Sequence, residues 1–110
     1  MHDHIRFIHH EGKKILLVDF SNCPANEVEE IARAVPEYVT VNPPFSVLVL
    51  TDFTGAAFDR DALLAMKETA VFDKPFVKKS ALIGTEDLPV SFYDELEEFF
   101  PARTADFQNQ

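Results

Sequence analysis

The residues best placed to do chemistry stand together at Asp52-Phe53-Thr54-Gly55, directly after the apolar run Ser46-Val47-Leu48-Val49-Leu50-Thr51. Such a run reads as a buried strand, and an aspartate delivered at its carboxyl end is a candidate nucleophile for phosphoryl transfer. Phosphoryl transfer also needs further carboxylates to hold magnesium and a lysine on the phosphate. The neighbours of Asp52 are Phe53 and Thr54, and the stretch after Ile83 offers only Glu86-Asp87. The alternative reading is local: Thr54 and Gly55 make a turn and Asp59 caps the next helix. No catalytic residue, cofactor or enzyme activity is expected.

Three other groups carry chemistry. His2, His4, His9 and His10 crowd the start; His2 and His4 share one strand face, whereas His9 and His10 point to opposite faces. A metal site needs converging ligands, so these are read as solvated side chains near a turn, with transient capture at His2 and His4 as the alternative and no resident metal expected. Cys23 is the single cysteine; it excludes an internal disulfide, fits a reducing cytoplasm and reads as a small half-buried residue. In Phe72-Asp73-Lys74-Pro75-Phe76-Val77-Lys78-Lys79, aromatics sit beside lysines. Phe72, Lys74, Phe76, Lys78 and Lys79 therefore form a possible contact for an apolar ligand or an anionic membrane surface. The plainer account is that Phe72 and Phe76 fill the core while the lysines are solvated.

The elements that position these groups are set by periodicity. Ile5 and Phe7 alternate with polar residues as an edge strand does, and Glu11-Gly12 turns the chain into Ile15-Leu16-Leu17-Val18, an interior strand. From about Pro24, Val28, Ile31, Ala32, Val35 and Val39 mark the buried stripe of a helix, with Asn26 and Glu29 as a capping pair and Pro36 as its kink or end. After the strand at 46 to 52, Asp59 caps a second helix, Asp61 adds charge to its first turn, and Leu63, Met66 and Ala70 face the sheet. That helix should stop before Asp73-Lys74-Pro75, and residues 77 to 84 give a third interior strand. A third helix begins at Pro89, with Leu88, Phe92, Leu96 and Phe99 on one face, and ends at Pro101.

The predicted fold class is thus α/β, a single domain over residues 1–110. It has an N-terminal hairpin, a mixed central sheet of four to five strands and three to four flanking helices. This order, with the segments Ile15-Leu16-Leu17-Val18-Asp19, Asn26-Glu27-Val28-Glu29-Glu30-Ile31, Val47 to Gly55 and Asp73 to Ala81, resembles the SpoIIAA-like branch of the STAS domains. Founding members of that family are bacterial anti-sigma-factor antagonists, and outlying members are similar to lipid-binding domains of the Sec14 type. The resemblance implies a regulatory, protein-binding domain with a switch loop at the strand end: Asp52, Thr54, Gly55, Asp59 and Asp61. Antagonists of this type carry a phosphorylated serine at the start of the second major helix, where this chain has Asp59-Arg60-Asp61-Ala62. Asp61 then acts as a fixed negative charge, or, on a shifted alignment, Thr54 is the acceptor. The alternative implied function is binding of a lipid or other apolar ligand, with Phe92 added to the contact set. The family's closing helix has no counterpart after residues 102 to 107, which predicts an exposed apolar strip and a homodimer across it.

Composition bounds these readings. With 110 residues, 46% of them hydrophobic and eleven phenylalanines, the chain builds one core without disulfide or metal support. A formal charge of -9 repels polyanions, and no basic stripe collects phosphates, so no nucleic-acid partner is expected. Residues 80 to 102 hold six acidic groups and no basic one, which makes the domain electrically two-sided. No apolar run approaches the roughly 20 residues that span a bilayer. The expected setting is the cytoplasm, with a protein partner.

Overall fold

In the computed structural model, residues 3–87 are described. The chain opens with strands β1 (Ile5–His10) and β2 (Lys13–Asp19), an antiparallel hairpin pairing Ile5 with Val18 and His10 with Lys13. Its two-residue turn, Glu11-Gly12, has φ of 51° and 77°, the positive values that match the twist of a tight hairpin. Helix α1 (Ala25–Val39) leads to β3 (Val47–Asp52), and helix α2 (Arg60–Asp73) to β4 (Val77–Ile83). Both later strands add in parallel, giving a four-stranded mixed sheet in the order β1-β2-β3-β4.

This is the expected α/β class, with two corrections. Two α-helices and one short 3-10 turn (Thr85–Asp87) are described, fewer than predicted; the predicted third helix and the residues after it, including Phe92, lie outside the described residues. β4 was expected to be interior, yet among the described residues its one neighbour is β3.

Both helices pack on one sheet face. Leu16, Val18, Phe20, Val47, Val49 and Leu82 meet the helical residues there in a single cluster. The stripe of α1 is the one its spacing predicts: Val28, Ile31, Ala32, Val35 and Val39 are its buried residues. On α2 the buried residues are Ala62, Ala65, Met66, Ala70 and Asp73, while Leu63 is half-buried. The other sheet face carries Ile15, Leu17, Leu48, Leu50, Ala81 and Ile83 by the strand registers. Ile15 and Ala81 are buried, the leucines half-buried, and Ile83 exposed.

The helix ends depart from expectation in instructive ways. Pro24 stands at the N-cap of α1 with no side-chain bond, and its carbonyl accepts from Glu27 and Val28, so the Asn26–Glu29 capping pair does not form. Pro36 neither ends nor interrupts α1. Its missing N–H orphans the Ala32 carbonyl, and the Thr69 hydroxyl of α2 donates to that oxygen at 2.7 Å. At the far end, Thr40 Oγ1 donates to the Pro36 carbonyl and Asn42 Nδ2 to that of Tyr38.

Candidate functional site

β2 and β3 run in parallel register, so Asp19 pairs with Asp52 and both strands end at the same level. From its last residue onward, each strand leads into the same four-residue device. Asp19 Oδ1 accepts from the Ser21 N–H and Asp52 Oδ1 from the Thr54 N–H, each at 2.9 Å. Phe20 and Phe53 turn inward, 1% and 0% exposed, and stack with ring centroids 5.5 Å apart. Asn22 and Gly55 then take positive φ, 58° and 67°. The repeat is written in the chain as Asp-Phe-Ser-Asn and Asp-Phe-Thr-Gly. Sequence reading missed the repeat, because its meaning rests on two strands that end side by side.

The twin turns are tied together. Phe20 donates to the Asp52 carbonyl, Asn22 to that of Thr54, and Ala57 to that of Cys23. A Cβ on Gly55 would collide with the Asn22 amide, and one on Gly84, after β4, with Thr54. Phe58 closes the aromatic row, 5.9 Å from Phe53. Asp59 then caps α2, accepting from the Ala62 N–H at 2.8 Å, and Asp61 stands in the first turn. The five predicted loop residues thus lie on one continuous, backbone-locked segment: Thr54, Gly55, Asp59 and Asp61 exposed, Asp52 half-buried. Both Asp52 and Asp59 have a local structural task, each holding a backbone N–H.

The second predicted group lies at the opposite end of the sheet, where β4 begins. Phe45 donates to the Pro75 carbonyl, and Ser46 and Val47 to that of Phe76. Phe76 packs against the core, half-buried, but Phe72 is 54% exposed, which corrects the expectation that both fill the core. The cause is helical phase. Asp73, one residue on, takes the inward position of α2, so Phe72 points outward. Lys74 and Lys78 are exposed and Lys79 half-buried. Exposed Phe45, at a φ of 58°, adds a second aromatic near this end.

Between the helices and the sheet lies a cavity of about 70 Å³, lined chiefly by apolar side chains with Thr51, Thr69, Asp73 and Ser80 among them. One water needs roughly 10–15 Å³ on this measure. Asp73 is 5% exposed, and its Oδ1 is the one buried side-chain oxygen or nitrogen among the described residues without a hydrogen-bond partner. Burial pushes its carboxyl up to about 7. Sequence reading missed Asp73 as a buried group because it stands between Phe72 and Lys74 in a stretch that reads as a helix end.

A further meeting of side chains forms beside the first turn. Hairpin pairing brings His4 against the end of β2, where its Nδ1 lies 3.1 Å from the Asp19 carbonyl. Its Nε2 lies 3.0 Å from Glu27 Oε1, and Cys23 Sγ lies 3.7 Å from the same oxygen. His4 is therefore half-buried and engaged, not solvated as expected; His9 and His10 are exposed, and His2 lies outside the described residues. Cys23 is buried, and burial, followed by the Glu27 charge, raises its thiol to about 11, the wrong direction for a nucleophile. Burial also raises the carboxyl of Asp19, but the bonds from Ser21 and the charges of His4 and Arg6 outweigh it, leaving it below its usual value. No helix among the described residues is long and apolar enough to cross a membrane. No family model, curated protein or solved structure matches the chain.

Proposed function

We propose that this domain is a STAS-like, non-catalytic interaction module that presents the segment from Asp52 to Asp61 to a basic surface of a protein partner. The observation that carries this reading is the locking of that loop: its backbone is bonded to the 20–23 turn while Thr54, Asp59 and Asp61 remain exposed. A preorganised loop loses little conformational freedom on docking, and clustered carboxylates steer a cationic partner. The test replaces charge without removing the helix cap: Asp59→Ser with Asp61→Lys, followed by crosslinking and mass spectrometry of the untagged protein in its own cells. Loss of a specific partner at unchanged thermal stability supports the reading. The same partners at the same yield would overturn it.

A second reading, binding of a small apolar ligand with one hydrogen-bonding group, is favoured by the cavity and by the Asp73 in its lining, one of whose carboxyl oxygens has no hydrogen-bond partner. Native mass spectrometry of gently isolated protein tests it. A small-molecule adduct lost on Asp73→Asn supports this reading, and a bare chain counts against it.

A further inference from the structure

We propose that His4, Cys23 and Glu27 form a binding site for a zinc-like divalent transition-metal ion. Three segments converge to make it: the residue before β1, the β2–α1 connection, and the first turn of α1. One donor atom from each lies within 4.8 Å of the others. A tetrahedral ion with bonds of about 2.0–2.3 Å to nitrogen, oxygen and sulfur spaces its ligands roughly 3.3–3.7 Å apart. Two of the three separations, 3.0 Å from His4 Nε2 to Glu27 Oε1 and 3.7 Å from Cys23 Sγ to the same oxygen, lie within a few tenths of an ångström of that range.

The surroundings support the assignment independently. The Asp19 carbonyl cannot donate, so His4 Nδ1 carries the proton between them, which aims Nε2 at the other two donors. A backbone carbonyl in this position is the usual orienting partner of a ligating imidazole. Thiolate, imidazole and carboxylate together suit zinc or cobalt and disfavour magnesium or calcium. His4 and Glu27 also border a solvent-open groove that carries Asp3, Glu30 and Glu37, an acidic approach that concentrates cations and leaves room for water as a fourth ligand. On binding, the ion replaces the Cys23 thiol proton, which leaves to solvent; His4 Nε2 and the Glu27 carboxylate bind through lone pairs, and no oxidation state changes.

The test is a cobalt(II) titration of the full chain, untagged, reduced and stripped with chelator, monitored by optical absorption. The expected result is a thiolate-to-cobalt charge-transfer band that saturates at one ion per chain and bleaches when zinc(II) is added. Cys23→Ser should abolish the band, and Glu27→Ala should weaken binding about tenfold or more, as loss of a site contact does. Cobalt binding without that band, or binding by Cys23→Ser as tight as by the natural chain, would show capture by the exposed histidines and overturn the assignment. Because Cys23 is buried and its variant can lose the fold, the natural chain's own band and the Glu27→Ala affinity decide the matter without it.

Discussion

The Thr69 hydroxyl donates to the Ala32 carbonyl across the helix pair, 2.7 Å away, at the oxygen that Pro36 leaves without a helical donor. A proline twelve residues into a fifteen-residue helix is tolerated because a neighbouring helix supplies the missing bond. Thr69→Val keeps the shape and removes the donor, and should cost about 1–3 kcal/mol, the penalty of an unsatisfied buried carbonyl. In a Pro36→Ala background the N–H returns, and the same substitution should cost less than about 1 kcal/mol. Urea unfolding of the four proteins closes the cycle. Equal costs in both backgrounds would sink the pairing.

Asp73 makes stability depend on pH with an unusual sign. Its folded value of about 7 lies above the roughly 3.9 of an unfolded chain, so the native state keeps a proton that the unfolded state has lost. Its contribution is complete below about pH 4 and falls as pH rises to about 7, at up to about 1.4 kcal/mol per unit. Asp73→Asn removes this decline. The variant should melt above the natural protein at pH 8 and lose that advantage by pH 4, as thermal scans across pH would show; a constant difference would refute the burial of an ionisable group there.

Two glycines separate backbone strain from crowding. Gly12 and Gly84 both have positive φ, but a Cβ at Gly12 meets nothing within 4 Å, whereas one at Gly84 strikes the backbone of Thr54. Gly12→Ala should therefore cost only the left-handed penalty, about 1–2 kcal/mol. Gly84→Ala should cost distinctly more, because Thr54 meets it with backbone that cannot swing aside, measured by denaturant midpoint at constant slope. Equal costs would mean that the end of β4 is not packed against the Thr54 turn.

Asp59 and Asp61 differ in kind although both are exposed acids at the start of α2. Asp59→Ala should lose about 1 kcal/mol with the cap, and Asp61→Ala a few tenths. Thermal unfolding distinguishes them. The comparison fixes which residue can be altered freely when partner capture is measured.

Much of this was legible in the chain because it is local. The Glu11-Gly12 turn, the five-residue stripe of α1 and the Asp59 cap each depend on neighbours within a few positions. What escaped depends on distant partners. Pro36 reads as a break because Thr69 lies on another helix, and His4 reads as solvated because Cys23 and Glu27 reach it only once the hairpin has closed. Phe72 and Asp73 exchanged roles because a shift of one residue rotates a helix position by about 100°, finer than a short apolar pattern can discriminate. The segment from Asp52 to Asp61 stands out in the sequence, but its twin at Asp19 to Asn22 does not, since a four-residue repeat has meaning only when two strands end side by side.

The twin turns also have a mechanical consequence. Their hydrogen bonds run crosswise, and their aromatic rings share one stack, so neither turn can lift from the sheet without shearing the other. The two loops therefore behave as a single hinge plate. The amides of Asn22 and Ala57, on different loops, should exchange with solvent at one common rate, and a partner that grips either loop should slow both.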